Sequence, residues 1–426
     1  MTAPQGFRSG ETADLDSGEV APWHRESGRV VPDVDFPTGF GSHTGNIGIK
    51  DRTRDVMILS APEGTTASGV FTKSRFSGPS VTISREHLAD GRARSVVILS
   101  KNSNVATGSV GAANAEELAR LTAQVVGCDP TEVVVASTGV IGVRYPMDRI
   151  RSYMTRLATG GEAFGMPGSA TEAATAIMTT DTHPKVAAAS AGAARVVGIA
   201  KGVGMIEPDM ATMLAVITTD AAVAADVLDE MFRRVVDHTF NALSIDTDTS
   251  TSDMAVILAS GEAGPVDEAE LENAIADVCL DLTRQLAADG EGAETLIVVT
   301  VEGARDNEQA KRVAKSIVNS PLVKTAVHGR DPNWGRVAMA VGKCNDSDID
   351  QDRVVIRFGP TEVYPTPATP EMLRELERYL AEPEILIHVS LGVTPGGSGA
   401  DGGGSFTVYG CDLTDGYVRI NADYTT

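Results

Sequence analysis

Aromatic residues make up only 4% of this 426-residue chain, so Val, Ile, Leu and Ala must fill its interior. Basic clusters are missing as well. No block of Lys and Arg stands out and the formal net charge is -22, which argues against a general nucleic-acid or anionic-membrane surface, since both need a basic face. Nothing in the sequence approaches the ~18 consecutive apolar residues of a membrane span. The segment from Met1 to about Asp35 is rich in Gly, Pro, Ser, Asp and Glu and lacks an apolar run that could serve as a signal-peptide core; residues 1–34 are expected to form a loose arm. Cys128, Cys279, Cys344 and Cys411 are far apart, with no C-x-x-C pair and no His at metal-ligand spacing. They read as reduced thiols of a cytoplasmic protein. The seven His residues form no zinc pattern, and no metal or cofactor is expected.

What is present fits a globular chain long enough to hold two domains. Short apolar runs bounded by polar or Gly-containing stretches predict strands at Val56–Leu59, Val96–Leu99, Val133–Ala136, Met254–Leu258, Leu296–Val301, Val354–Phe358 and Ile385–Val389. Between them lie helical stripes. Ala115, Leu118, Ala119, Leu121 and Val125 make one over Asn114–Val126, and Val223, Val227, Leu228, Met231 and Val235 another over Ala222–Val236. Leu271, Ala274, Ile275, Val278, Leu282 and Leu286 mark a long helix beginning near Asp267. Thr369 and Pro370 offer an N-cap and a first-turn proline ahead of Met372, Leu373, Leu376, Tyr379 and Leu380. The alternation of the two periods predicts a mixed α/β architecture.

Two local patterns imitate functional loops and fail. The Gly-rich stretch Gly396–Gly404 lacks the Lys-Ser/Thr of a phosphate-binding loop and reads as a flexible hairpin connection. Asp246, Asp248, Ser250 and Asp253 open like a calcium loop, but Thr251 stands where Gly is required and Ile257 where Glu is required.

The informative segment is K-G-V-G-M-I-E-P-D-M-A-T-M-L-A-V-I-T-T-D-A, Lys201–Ala221. Its first part carries the Gly, Pro and Asp of a tight loop, and Met213–Ile217 reads as a buried strand. Thr212 therefore sits where a loop enters a strand. The block resembles the processing site of the ornithine acetyltransferases, in which the bond before the Thr of M-A-T-M-L is broken autocatalytically. Further blocks match that family in the same order: F-P-T-G-F and G-I-K within Phe36–Lys50, A-S-T-G-V-I-G at Ala136–Gly142, and A-I-M-T-T-D-T-x-P-K at Ala176–Lys185. S-I-D-T-D-T-S-T-S-D at Ser244–Asp253, D-G-E-G-A at Asp289–Ala293, H-G-R-D-P-N-W-G-R at His328–Arg336 and the C-terminal Y-V-R-I-N-A-D-Y-T-T complete the series. The match spans about Pro32 to Thr426.

The resemblance implies a layered αββα-like sandwich, shared with self-processing aminopeptidases, and an enzyme cut between Ala211 and Thr212. It implies an α fragment (35–211) and a β fragment (212–426), usually assembled as an α2β2 heterotetramer. The exposed Thr212 would carry the acetyl group from N2-acetylornithine to L-glutamate in a ping-pong reaction. Thr138 and Gly139 correspond to the family's oxyanion hole, while Thr179, Lys201, Thr212, Glu291, Asn421 and Thr426 correspond to its amino-acid contacts. The chemistry is self-consistent, because a free α-amino group on Thr212, with an ordinary pKa of roughly 7.7 to 8, supplies a base beside the hydroxyl it activates. No Ser-His-Asp pattern is needed.

Some positions depart from the housekeeping pattern. Lys101–Gly108 reads K-N-S-N-V-A-T-G, shorter than usual and without the expected Cys, and Val203, Glu207 and Asp209 replace Ser, His and Asn. These resemble the paralogue of clavulanic acid gene clusters and point toward secondary, antibiotic-related metabolism. A relative acting on another amine, or admitting water as an amidase, is the alternative.

Overall fold

The computed structural model describes residues 33–160, 164–207, 213–393 and 403–423. Ala211, Thr212, Thr426 and nearly all of the expected N-terminal arm lie outside the described residues. From Val34 onward the chain is anchored, its backbone bonded to Thr171 Oγ1 and to the Ala170 N–H.

The first part of the chain runs through β1 (Gly41–Gly45), β2 (Val56–Ser60), β3 (Thr66–Phe71), α1 (Pro79–His87), β4 (Ser95–Leu99), α2 (Gly108–Val126), β5 (Val133–Ser137) and α3 (Met147–Ala158). Strands β1-β2-β4-β5 form a four-stranded sheet. Strands β2, β4 and β5 read as nearly unbroken apolar runs because both faces are covered. Val56, Ile58, Val97, Leu99, Val133 and Val135 face Leu118 of α2 and Ile150 and Met154 of α3. Their alternates, Met57, Leu59, Val96, Ile98 and Val134, face a second sheet.

That second sheet is built by β3 with β6 (Lys185–Ala191), β7 (Ala194–Lys201), β8 (Leu214–Ala221) and β9 (Met254–Gly264), which are accompanied by α4 (Ala170–Ile177), α5 (Ala225–His238) and α6 (Glu268–Ala288). The strand order is β3-β9-β8-β7-β6, with β8 and β9 parallel at the centre. Val197, Ile199, Leu214, Val216, Val256 and Leu258 meet the first sheet, and the alanine-rich α4 packs into the same layer. The opposite face, Val196, Ala215, Ile217, Ala255 and Ile257, lies against Leu228, Met231 and Phe232 of α5 and Leu271, Ile275, Val278 and Leu282 of α6. Helix, sheet, sheet, helix is thus the order of these layers, as the family resemblance implied.

The rest of the chain adds β10 (Leu296–Ala304), α7 (Asn307–Val318), α8 (Pro321–His328), α9 (Trp334–Gly342), β11 (Val355–Phe358), β12 (Thr361–Tyr364), α10 (Pro370–Tyr379), β13 (Glu384–Ser390), β14 (Gly404–Cys411) and α11 (Asp415–Asp423). A third sheet, β12-β11-β13-β10-β14, shares its core with α6 and α7. Here one expectation is corrected: β13 and β14 do not pair as a hairpin, because β10 lies between them, parallel to one and antiparallel to the other. Residues 394–402 of that connection lie outside the described residues.

Helix boundaries follow capping chemistry. Asp267 accepts from the Ala269 and Glu270 N–H groups to start α6, and Thr369 caps α10 through the Met372 N–H. The stripe expected from Ala222 begins only at Ala225, since Ala224 is extended, so Val223 precedes the helix. Helix α2 begins six residues before the expected Asn114. Among the described residues no helix is long and apolar enough to cross a membrane.

Candidate active site

Strand β5 runs out at Ser137, but the next N–H, of Thr138, still bonds the Leu99 carbonyl at 3.0 Å. The chain then turns at Gly139, whose φ of 125° lies in a region that side chains disfavour. A Cβ on Gly139 would lie 2.3 Å from the Lys101 carbonyl carbon and 2.6 Å from the Asn102 nitrogen. Only glycine lets these two backbones touch, and the contact aims the Thr138–Gly139 turn into a cavity of ≈ 130 Å³.

The cavity gathers segments far apart in sequence: Thr138 and Gly139, Thr179 and Thr180, Lys201 to Met205, Met213, Ser250 to Asp253, Glu291 and Asn421. Its volume is below the ≈ 300–1,000 Å³ typical of drug-sized ligand sites, which suits a small ligand. Two larger clefts, of ≈ 650 and ≈ 640 Å³, open beside β3 and α5 and between α1 and α2. In the first, the buried Ser68 hydroxyl is already committed to Asp229 at 2.6 Å.

Lys201 ends β7 and is 8% exposed. Its ammonium donates to Thr138 Oγ1 at 3.3 Å. Burial depresses its pKa below the ordinary lysine range and the nearby Lys185 adds to this, against the opposing pull of Asp181, Asp253 and Glu291. On the far wall, Glu291 follows α6 in a turn held by its own N–H on the Val203 carbonyl at 2.8 Å. The carboxylate accepts from Thr180 Oγ1 at 3.1 Å and Asn421 Nδ2 at 2.8 Å. It lies so close over Gly204 that a Cβ there would stand 2.5 Å from Glu291 Oε2.

Met213 enters the same wall just before β8, with its carbonyl accepting from the Met254 N–H at 2.9 Å. The approach to Glu207 is equally fixed. Asp246 accepts from the Met205 and Ile206 N–H groups at 2.6 and 2.7 Å, and Glu207 accepts from Asn319 Nδ2 at 2.8 Å. Glu207, one of the departures noted above, is thus spent on packing the approach.

Of the site residues anticipated from sequence, Thr138, Gly139, Thr179, Lys201, Glu291 and Asn421 meet in one cavity. Several others were missed. Thr180, next to the anticipated Thr179, is the one that bonds Glu291. Asp253 lines the cavity at only 2% exposure, and Asp181, Lys185 and Asp289 lie buried behind it. The T-T-D-T-x-P-K and D-G-E-G blocks contained them, but burial cannot be read from a lone Asp or Lys. A separate group, Glu294, His328 and Asp412, has the donor atoms to hold a cation. Asp412 is occupied otherwise, with one oxygen accepting from the Glu294 and Thr295 N–H groups and the other 3.1 Å from His328 Nδ1.

The family model described as ArgJ family matches residues 42–426. The chain belongs to the ArgJ family. Among curated ArgJ relatives, glutamate N-acetyltransferase Oat2 of Streptomyces clavuligerus is 54% identical over 398 residues, covering 92% of this chain and 98% of the relative. Arginine biosynthesis bifunctional protein ArgJ 2 of a Nostoc species is 53% identical over 394 residues, with 92% and 98% covered. A solved ArgJ structure, arginine biosynthesis bifunctional protein ArgJ from Bacillus halodurans, is 38% identical with a TM-score of 0.44, covering 49% of this chain and 97% of that one.

Proposed function

We propose that this chain is a self-cleaving acetyltransferase that moves an acetyl group from N2-acetylornithine to L-glutamate through an ester on Thr212. The observation that carries the reading is the cavity itself. It sets a buried lysine, Lys201, and a carboxylate, Glu291, on the walls of one small space, with the Thr138–Gly139 turn and Met213, the residue after Thr212, beside them. Membership of the ArgJ family supports the same activity.

In the cleavage step, Thr212 Oγ attacks the Ala211 carbonyl carbon and the proton passes to the departing amide nitrogen. Water then hydrolyses the ester, leaving an Ala211 carboxylate and a free Thr212 amine. That amine takes the hydroxyl proton as Oγ attacks the acetyl carbon of acetylornithine. The developing oxyanion is held by Thr138 and Gly139, and collapse returns the proton to ornithine as it leaves. The neutral amine of glutamate repeats the sequence in reverse and carries the acetyl group away. Lys201 pairs with the substrate α-carboxylate, and Glu291, steadied by Thr180 and Asn421, pairs with the side-chain ammonium of ornithine. Thr179 and Thr426 complete the amino-acid contacts.

Residues 1–34 serve as an arm, 35–211 as the α fragment and 212–426 as the β fragment. Because β8 and β9 lie between β3 and β7, the two fragments would stay interleaved after scission, and we assign them a cytoplasmic α2β2 assembly. The departures from the housekeeping pattern, the shortened stretch Lys101–Gly108 and Val203, Glu207 and Asp209, favour a role in secondary, antibiotic-related metabolism with the same pocket charges.

Intact-mass analysis before and after incubation with acetylornithine tests the proposal. Two fragments split before Thr212, the second gaining one acetyl group, are expected. An uncut 44.5 kDa chain that transfers acetyl would overturn it, and equal release of acetate with and without glutamate would favour an amidase. Lys201 adds a pH signature. Below its depressed pKa the ammonium is present and holds the carboxylate; above it the charge is lost. KM for glutamate should therefore rise at a pH where an ordinary lysine is still charged, and Lys201→Met should raise KM roughly 10- to 100-fold and flatten that limb of the profile.

A further inference from the structure

Behind the cavity lies a line of buried charges that touches none of the substrate space. Lys185 opens β6 with 0% exposure. Its ammonium donates to Asp181 Oδ1 at 2.8 Å and to Asp289 Oδ2 at 2.5 Å. Asp181 Oδ1 also accepts from the Gly202 N–H at 2.8 Å, directly after Lys201, while Oδ2 accepts from the Thr179 N–H at 3.0 Å. Asp289 takes the Thr182 N–H at 3.1 Å and lies two residues before Glu291. One ammonium therefore ties together the wall that carries Lys201, the wall that carries Thr179 and Thr180, and the turn that carries Glu291.

Such a set is costly to bury, and apolar residues of similar volume would often stabilise the fold as well or better. Its value lies in geometry. A carboxylate with two or three donors has a fixed orientation, and so do the backbone groups that bond to it. The two carboxylates also hold the Lys185 ammonium charged against the strong opposing effect of burial.

We propose that Lys185 is a positioning residue, joined through Asp181 and Asp289 to both charged ends of the pocket, and that it sets the span between Lys201 and Glu291. The span selects acyl donors by side-chain length, favouring α-amino acids whose second ammonium stands at the ornithine distance. This inference rests on the function proposed above.

The test compares kcat/KM for N2-acetylated diamino acids with side chains one methylene shorter and one longer than ornithine, in wild type and in Lys185→Met. The wild-type enzyme is expected to prefer the ornithine donor, and the substitution to narrow that preference on the order of tenfold, the scale set by one methylene in a fitted pocket. Asp289→Asn, which keeps the side-chain shape, provides the same readout should Lys185→Met not fold, and is expected to narrow the preference in the same direction. Equal loss of rate on all three donors in the folded variants, or a lowered melting temperature with the preference intact, would reduce Lys185 to a stabilising role and overturn the inference. A wild-type enzyme that transfers acetyl from none of the donors overturns the function and this inference together; one that transfers but does not discriminate overturns this inference alone.

Discussion

Thr212→Ala is expected to remain a single chain and to lose acetyl transfer by on the order of 10⁴-fold or more, the scale on which removal of a nucleophile is felt. Both losses have one cause, since the same hydroxyl is assigned to the scission and to the acetyl ester. Denaturing gels follow the first, and mass analysis with acetylornithine the second. Thr212→Ser, which retains a hydroxyl, should recover both in part. A Thr212→Ala protein that still splits would remove the hydroxyl from the cleavage step.

Gly139→Ala should lower kcat by roughly 10²- to 10³-fold, comparable to losing an oxyanion donor, although the change adds only a methyl group. The new carbon would fall 2.3 Å from the Lys101 carbonyl carbon and 2.5 Å from its Cα, and both are backbone atoms that cannot swing aside. The positive φ compounds the strain. The Thr138–Gly139 turn must shift, and donors are effective only when they stand within hydrogen-bond reach of the oxyanion. KM should move much less than kcat, because Lys201 and Glu291 lie on other segments. Steady-state kinetics on the folded variant would check this. A kcat within a few-fold of wild type would mean that the oxyanion is held elsewhere.

Much of the scaffold was legible because strands covered on both faces condense into short apolar runs. Val56–Leu59, Val96–Leu99 and Val133–Ala136 all became strands with their bounds moved by a residue or so. Two of the strands that escaped notice, β1 and β6, are of another kind. Gly41–Gly45 reads GSHTG and Lys185–Ala191 reads KVAAASA, both at sheet edges and both made of small or polar residues. Their strand character comes from neighbours. The same holds at the site, where a resemblance could point to Lys201 and Glu291 but not to the ion network behind them. Lys185 in a sequence looks like a surface lysine, and only the carboxylates brought to it from residues 181 and 289 make it an interior one. The Gly-rich link before β14 was misread as a hairpin for a related reason: nothing local announces that β10 occupies the place between its two strands.

The central position of β8 and β9 in the second sheet has a thermodynamic consequence. As one chain, the protein would unfold and refold as a unimolecular process. Cut before Thr212, the strands on either side of β8 and β9 would belong to a different molecule, so refolding would require an encounter between two partners. Melting of the cut protein should then depend on concentration, and dilution after denaturation should leave separated pieces, each with half of its sheet partners gone. Scission would turn a reversible fold into a one-way assembly that depends on having first folded intact.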